Sequence, residues 1–192
     1  AITTGLRNTI LGSNVGTGFD TETDNIFIGQ ATAEGAINGA DKCIIIGNSA
    51  FTGAATQDGT VGIGHQVLAA LTTGAGNVAV GYNALLTEDT GAKNTAIGYQ
   101  SMKVLDYNGD GYNTAVGYNT MLAATSATDN VAIGGNAAIA LITGDQNVII
   151  GTGAGVGTED VDNAVIIGNS AAQGVMTDAA DGTVAIGKSA GA

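Results

Sequence analysis

The stretch Asn77-Val78-Ala79-Val80-Gly81 recurs with small changes at residues 94–98 and 130–134. A Gly closes the same phrase along the whole chain, at steps of 17 residues except for one step of 18 and two of 19. These residues are Gly12, Gly29, Gly47, Gly64, Gly81, Gly98, Gly117, Gly134, Gly151, Gly168 and Gly187. A fixed short period is typical of stacked coils. The sequence therefore predicts an all-β fold, a parallel β-solenoid of about eleven 17-residue coils forming one repeat unit over residues 1–192.

The composition narrows the class of protein. The chain has 192 residues with 32 Gly and no Pro or Trp, and its hydrophobic content of 44% argues against disorder. A formal net charge of -12 repels nucleic acid and anionic membranes and attracts divalent cations. No apolar run is long enough to insert into a membrane. A single Cys43 excludes an internal disulfide, and a single His65 excludes a histidine cluster.

The residues before each Gly form three columns when the coils are aligned. The positions one and three before the Gly hold Ile, Val, Leu or Thr, and we predict that they fill the coil interior. The position between them points the other way and is also uncharged. Its residues are Ile10, Phe27, Ile45, Gly62, Ala79, Ala96, Ala115, Ala132, Ile149, Ile166 and Ala185. A strand that is apolar on both faces is typically covered on both, so this Ala-rich column predicts a twofold or threefold bundle of copies. The alternative cover is the chain's own loops or another domain.

A column of Asn stands four residues before the Gly in seven of the coils. These residues are Asn8, Asn25, Asn77, Asn94, Asn113, Asn130 and Asn147. Asn at a turn can bond its amide to the next rung. The column therefore predicts a ladder of side chains that fixes the register of the coils.

One of the two longest steps contains a candidate calcium loop at residues 106–111. Its oxygen-bearing side chains alternate as in the start of an EF-hand loop, and Gly permits the bend. The bidentate Glu expected at the twelfth position is replaced by Gly117, but carboxylates one coil earlier can complete the shell. The predicted ligands are Asp106, Asn108, Asp110, Asp89 and Glu88. The alternative is a polar turn that accommodates two extra residues.

An aromatic column is formed by Tyr82, Tyr99 and Tyr118 in three successive coils, with His65 one coil earlier. If exposed, it is a candidate surface for binding a glycan or a protein partner. The alternative, which we favour, is that the rings pack against neighbouring coils or a neighbouring protomer. A column of Thr raises ice binding as a further possibility, but the adjacent column is not Thr, so turns explain it better. No catalytic motif is found, and the chain is predicted not to be an enzyme.

Residues 77–85, 94–100 and 113–119 resemble the repeats of phage tail-fibre-type proteins and are similar to the Val-Ala-Ile-Gly coils of trimeric autotransporter adhesin heads. The resemblance covers essentially the whole chain, although a period of 17 exceeds the usual adhesin coil. It implies a β-roll that assembles as a parallel homotrimer, outside the cell, on a virion tail fibre or a bacterial surface. The chain, which begins and ends within a repeat, is then interpreted as a segment of a longer fibrous protein.

The function implied by this resemblance is a structural shaft or head segment that projects or presents a host- or surface-attachment element. Stacked rungs spaced by about 4.8 Å would give a rod of roughly 50 Å, which suits a spacer. The alternative function is a glycan- or ice-binding solenoid that acts through its own flank.

Overall fold

The structure, a computed structural model, describes residues 5–16, 20–35, 37–53 and 56–191, so the chain ends Ala1 and Ala192 lie outside the described residues. The strands are β1 Thr9–Leu11, β2 Ile26–Ile28, β3 Ile44–Ile46, β4 Val61–Ile63, β5 Val78–Val80, β6 Thr95–Ile97, β7 Thr114–Val116, β8 Val131–Ile133, β9 Val148–Ile150, β10 Val165–Ile167 and β11 Val184–Ile186. They form one sheet in strict chain order, and every pairing is parallel. The predicted all-β parallel solenoid is confirmed. Among the described residues, no helix is long and apolar enough to cross a membrane.

The register of the sheet follows the Gly column even where the period lengthens. Ala79 pairs with Ala96 across a regular step, and Ala96 pairs with Ala115 across a step of 19 residues. The extra residues are therefore accommodated in the loops. In the last long step, a short 3₁₀ turn occupies Asp178–Ala180.

The Gly after each strand is required by the closeness of the coils. In this column φ lies between +125° and +153°, a region that favours glycine. A Cβ on Gly98 would lie 2.2 Å from the carbonyl oxygen of Gly117 in the next coil. Gly187 has a similar φ but no such neighbour among the described residues, because no described coil stacks on it. We call the turn at each of these Gly residues the Gly corner. It has no room for a side chain wherever another coil stacks on it.

The predicted assignment of the two strand faces is wrong. The central residue of each strand from β2 to β11 is buried inside the coil, whereas the first and last residues of every strand are partly exposed. The Ala-rich column is therefore the interior of the solenoid and cannot be an interface between copies. The Ile, Val and Thr columns that were expected inside form the outer face of the sheet.

The narrow interior explains why the central column is rich in Ala. The residue six positions later also points into the core, and its size varies inversely with that of the strand residue in most coils. Ala96 is matched by Met102, and Ile149 by Gly155. A Cβ on Gly155 would lie 3.1 Å from Cγ2 of Ile149, so the two positions share one space. The small residues make room for a large side chain of the same coil.

The Asn column forms the predicted ladder. The backbone N–H of Asn94 donates to Oδ1 of Asn77 at 2.8 Å, and Nδ2 of Asn77 donates to the Gly91 carbonyl at 2.7 Å. Both Asn side chains are fully buried. Each side chain thus satisfies backbone groups where the chain enters a strand, and it ties one coil to the next. The column has a structural role, as expected.

We expect Gly98→Ala to destabilise the protein far more than Gly187→Ala. At Gly187 the substitution introduces only backbone strain, about 1–3 kcal/mol. At Gly98 it adds a steric clash with the next coil. Thermal unfolding of the two variants measures the difference. Equal losses of stability would show that coil stacking does not require a residue without a side chain at the Gly corner.

We expect Ala115→Glu to prevent folding, whereas Thr114→Glu leaves the solenoid folded. The first change buries a carboxylate in the apolar interior, which costs on the order of several kcal/mol. The second places it on the partly exposed outer face. Circular dichroism and the cooperativity of unfolding distinguish the two. A cooperatively folded Ala115→Glu variant would contradict the assignment of the interior.

Candidate functional site

Three carboxylates from two adjacent coils meet in the loops opposite the sheet. Glu88 and Asp89 belong to one coil and Asp106 to the next, and one oxygen from each lies within 4.8 Å of the others. Backbone hydrogen bonds between coils position them: Thr72 N–H donates to the Asp89 carbonyl, and Asp106 N–H donates to the Thr125 carbonyl. We call Glu88, Asp89 and Asp106 the carboxylate trio.

Two members of the trio have raised pKa values. Glu88 is fully buried, and desolvation raises its pKa although its carboxylate accepts hydrogen bonds from the N–H groups of Gly91 and Tyr107. Desolvation and the neighbouring Asp89 carboxylate raise the pKa of Asp106. One oxygen of Asp89 is buried without a hydrogen-bond partner. These observations describe a group of neighbouring carboxylates in which Glu88 is buried and Asp106 is exposed.

The chemistry of the trio fits Ca²⁺. This ion takes about 6–8 oxygen ligands in flexible geometry, and carboxylates are its preferred protein ligands. The trio can supply part of such a shell, with the unpartnered Asp89 oxygen among the donors. A bound cation would also favour the ionised form of Glu88, against the effect of its burial.

The other two predicted ligands make hydrogen bonds to other residues. Asp110 forms an ion pair with Lys93 at 2.6 Å and accepts from the Tyr112 hydroxyl at 3.1 Å, and the ammonium lowers its pKa. Asn108 accepts a hydrogen bond from the Thr90 hydroxyl. A parallel bridge between Ala92 and Asp110 holds the loop along the preceding coil. Asp110 is therefore not grouped with Asp106, as an EF-hand-like loop would require.

The aromatic column forms a stacked ladder. His65, Tyr82, Tyr99 and Tyr118 each follow a column Gly, their successive ring centroids are 5.2 Å apart, and the rings are within 11° of parallel. The three Tyr side chains are 42–55% exposed. Tyr82 and Tyr99 have both ring faces covered by neighbours, so they present only their edges and hydroxyls. As we favoured, these rings pack against adjacent coils, and ring faces remain open only at the ends of the ladder.

The outer face of the sheet is a continuous apolar surface, although its residues were predicted to lie inside. It consists of the first and last residues of strands β1–β11, all of them Ile, Val, Leu or Thr. Ile63, Ile97 and Ile133 are 38–39% exposed in the middle of this surface. We call it the outer stripe. The sequence signal that could have revealed it is that the central residue of a strand and the residue six positions later vary inversely in size. This relation places the central column inside.

A column of Asp six residues before the Gly, which occurs in coils towards both ends of the solenoid, was not predicted to have a structural role. Asp145 N–H donates to Oδ1 of Asp162 at 2.7 Å, and Asp162 N–H donates to Oδ1 of Asp181 at 2.8 Å. Thr143 and Asp160 line the same open cleft. The column residues Asp41, Asp58, Asp145, Asp162 and Asp181 each accept a backbone N–H from the preceding coil, so the column supports the stacking of coils.

We expect Ca²⁺ to raise the melting temperature of the protein, because an ion that binds only the folded state stabilises it. Asp106→Asn should reduce this rise strongly, since it removes a carboxylate from the trio. Asp110→Asn is the matched control and should keep the rise, because Asp110 lies outside the trio. Differential scanning calorimetry with added Ca²⁺ and with chelator tests the prediction. A melting temperature that responds to neither contradicts calcium binding.

Comparison of the chain with family models, with curated proteins and with solved structures gave no match. The solenoid fold therefore rests on the chain's own periodicity and structure. The trio, the aromatic ladder and the outer stripe are the features from which a function can be argued.

Proposed function

We propose that this chain is a structural shaft or head segment of a homo-oligomeric extracellular fibre, of the phage tail-fibre or bacterial surface-appendage type. In this role it projects or presents an element that attaches to a host or a surface. The observation that carries the proposal is the outer stripe, an uncharged apolar surface that runs along all eleven strands. The resemblance of the repeats to tail-fibre and adhesin coils supports the type of fibre.

The solenoid has the mechanical properties of a spacer. Every strand is hydrogen-bonded to its neighbours in chain order, so the sheet has no break along its length. Eleven rungs at about 4.8 Å give a length of roughly 50 Å. The buried Asn ladder adds side-chain bonds in the same direction. Such a stack resists bending and fixes the distance between whatever precedes and follows it.

The outer stripe favours self-association. Two columns of side chains about 12 Å wide and 50 Å long make a surface on the order of 600 Å². This is at the upper end for an exposed patch on a monomer, and it approaches the roughly 800 Å² that each partner buries in a stable interface. Parallel sheets are normally covered on both faces. Burying the stripe would therefore complete the fold.

A second copy of the chain suits the stripe better than an unrelated partner. Another copy repeats with the same rung spacing, so contacts made at one rung recur at the next. The net charge of -12 makes copies repel, and the uncharged stripe is the surface where this repulsion is least. In a homotrimer, the first residues of the strands can contact one neighbour and the last residues the other. The proposal assigns the chain no catalytic role.

We expect the wild-type chain to sediment as an oligomer, with the trimer as the proposed form. Ile97→Lys combined with Ile133→Lys places charges in the middle of the stripe and should yield a folded monomer. Analytical ultracentrifugation and circular dichroism measure both properties.

The matched control is Ile142→Lys combined with Val175→Lys. Ile142 is 39% exposed, as is Ile133, but it lies outside the outer stripe. This variant should remain oligomeric. If the wild-type chain is a folded monomer, or if both variants dissociate equally, the outer stripe is not the interface.

A further inference from the structure

The aromatic ladder ends at Tyr118, and the next position in its column is Gly135. Asn119 N–H donates to the Tyr99 carbonyl at 2.9 Å, and Asn136 N–H donates to the Tyr118 carbonyl at 2.8 Å. The backbone thus continues in the same register past the last ring. Only the side chain is missing at Gly135.

The missing side chain leaves open space beside a ring face. A Cβ built on Gly135 meets no atom within 4 Å, and the residue lies outside the left-handed region, so neither packing nor backbone conformation requires glycine there. Tyr118 is the most exposed Tyr of the ladder, at 55%. Thr152 follows Gly135 in the column, two rungs or about 9.6 Å beyond Tyr118. The space between them is one rung high and is open to solvent.

We propose that this space, which we call the ring slot, binds one neutral pyranose ring stacked on the free face of Tyr118. The ligand would take the place of the next ring in the ladder, where the observed spacing between rings is 5.2 Å. One apolar face of a pyranose can pack on an aromatic face. Its hydroxyls remain at the edge, where the slot is open.

The positions next to the ring slot favour a neutral ligand. Asn119 and Asn136 follow Tyr118 and Gly135 in the chain, and Thr152 follows Gly135 in the column, so no charged residue stands at these positions. Phosphorylated or acidic ligands are disfavoured by the net charge of -12. The inference does not depend on self-association and concerns a different surface.

The test measures binding of methyl β-glucopyranoside, methyl β-galactopyranoside and methyl α-mannopyranoside by saturation-transfer NMR. A single stacked ring should give dissociation constants on the order of 1 mM or weaker. Gly135→Tyr extends the ladder into the slot and should lower the affinity at least about tenfold, as should Tyr118→Ala, which removes the stacking face. Gly174→Tyr is the matched control, because a Cβ there also meets no atom but the position lies outside the ladder.

Saturable binding by the wild-type chain and by Gly174→Tyr, together with its loss in the folded Gly135→Tyr and Tyr118→Ala variants, supports the proposal. Three results would overturn it: no saturable binding of any of these glycosides to the wild-type chain, binding that Gly135→Tyr leaves unchanged, or binding of p-cresol without binding of the glycosides. The last result would assign the slot to an aromatic side chain. Sedimentation in parallel reports the oligomeric state, so failure here is distinguishable from failure of the proposed fibre.

Discussion

Close stacking at the Gly corners is the constraint on which the rest of the structure depends. The corner of one coil lies so near the next that a Cβ on Gly98 would overlap the Gly117 carbonyl. Because this approach is repeated along the chain, the strands stay in parallel register through steps of 17, 18 and 19 residues. Variation in length is then confined to the loops.

A fixed register turns every column of the sequence into a row of neighbouring side chains, about 4.8 Å apart. For Asn this arrangement is favourable, because the amide of one coil satisfies the backbone of the next. For aromatic residues it produces the stacked ladder. For carboxylates it is unfavourable unless something compensates. Asp162 and Asp181 each accept a backbone N–H, and Glu88 of the trio accepts two, whereas one oxygen of Asp89 is buried without a partner.

The same constraint separates the chemistry of the interior from that of the outer surface. The interior of a coil is narrow, and in most coils a large residue such as Met102 accompanies a small one such as Ala96 six positions earlier. The outer face has no such restriction and carries Ile, Val and Thr throughout. Side chains that are regular, uncharged and partly exposed suit contact with another regular surface. The aromatic ladder and the ring slot lie beside this face, after the Gly corner.

The sequence by itself determined the period, the position and direction of each strand, the Asn ladder and the existence of an aromatic column, because all of these follow from spacing along the chain. Only the tertiary structure decided which strand face is the interior. Both faces are apolar in the sequence, and their difference depends on how residues such as Ile149 and Gly155 share space after the coil closes. Contacts between coils also separate the predicted calcium ligands. Asp110 forms a bridge with Ala92 and pairs with Lys93. Asp106 instead lies with Glu88 and Asp89. Spacing identifies which residues align, but contacts across the coil determine what each of them faces.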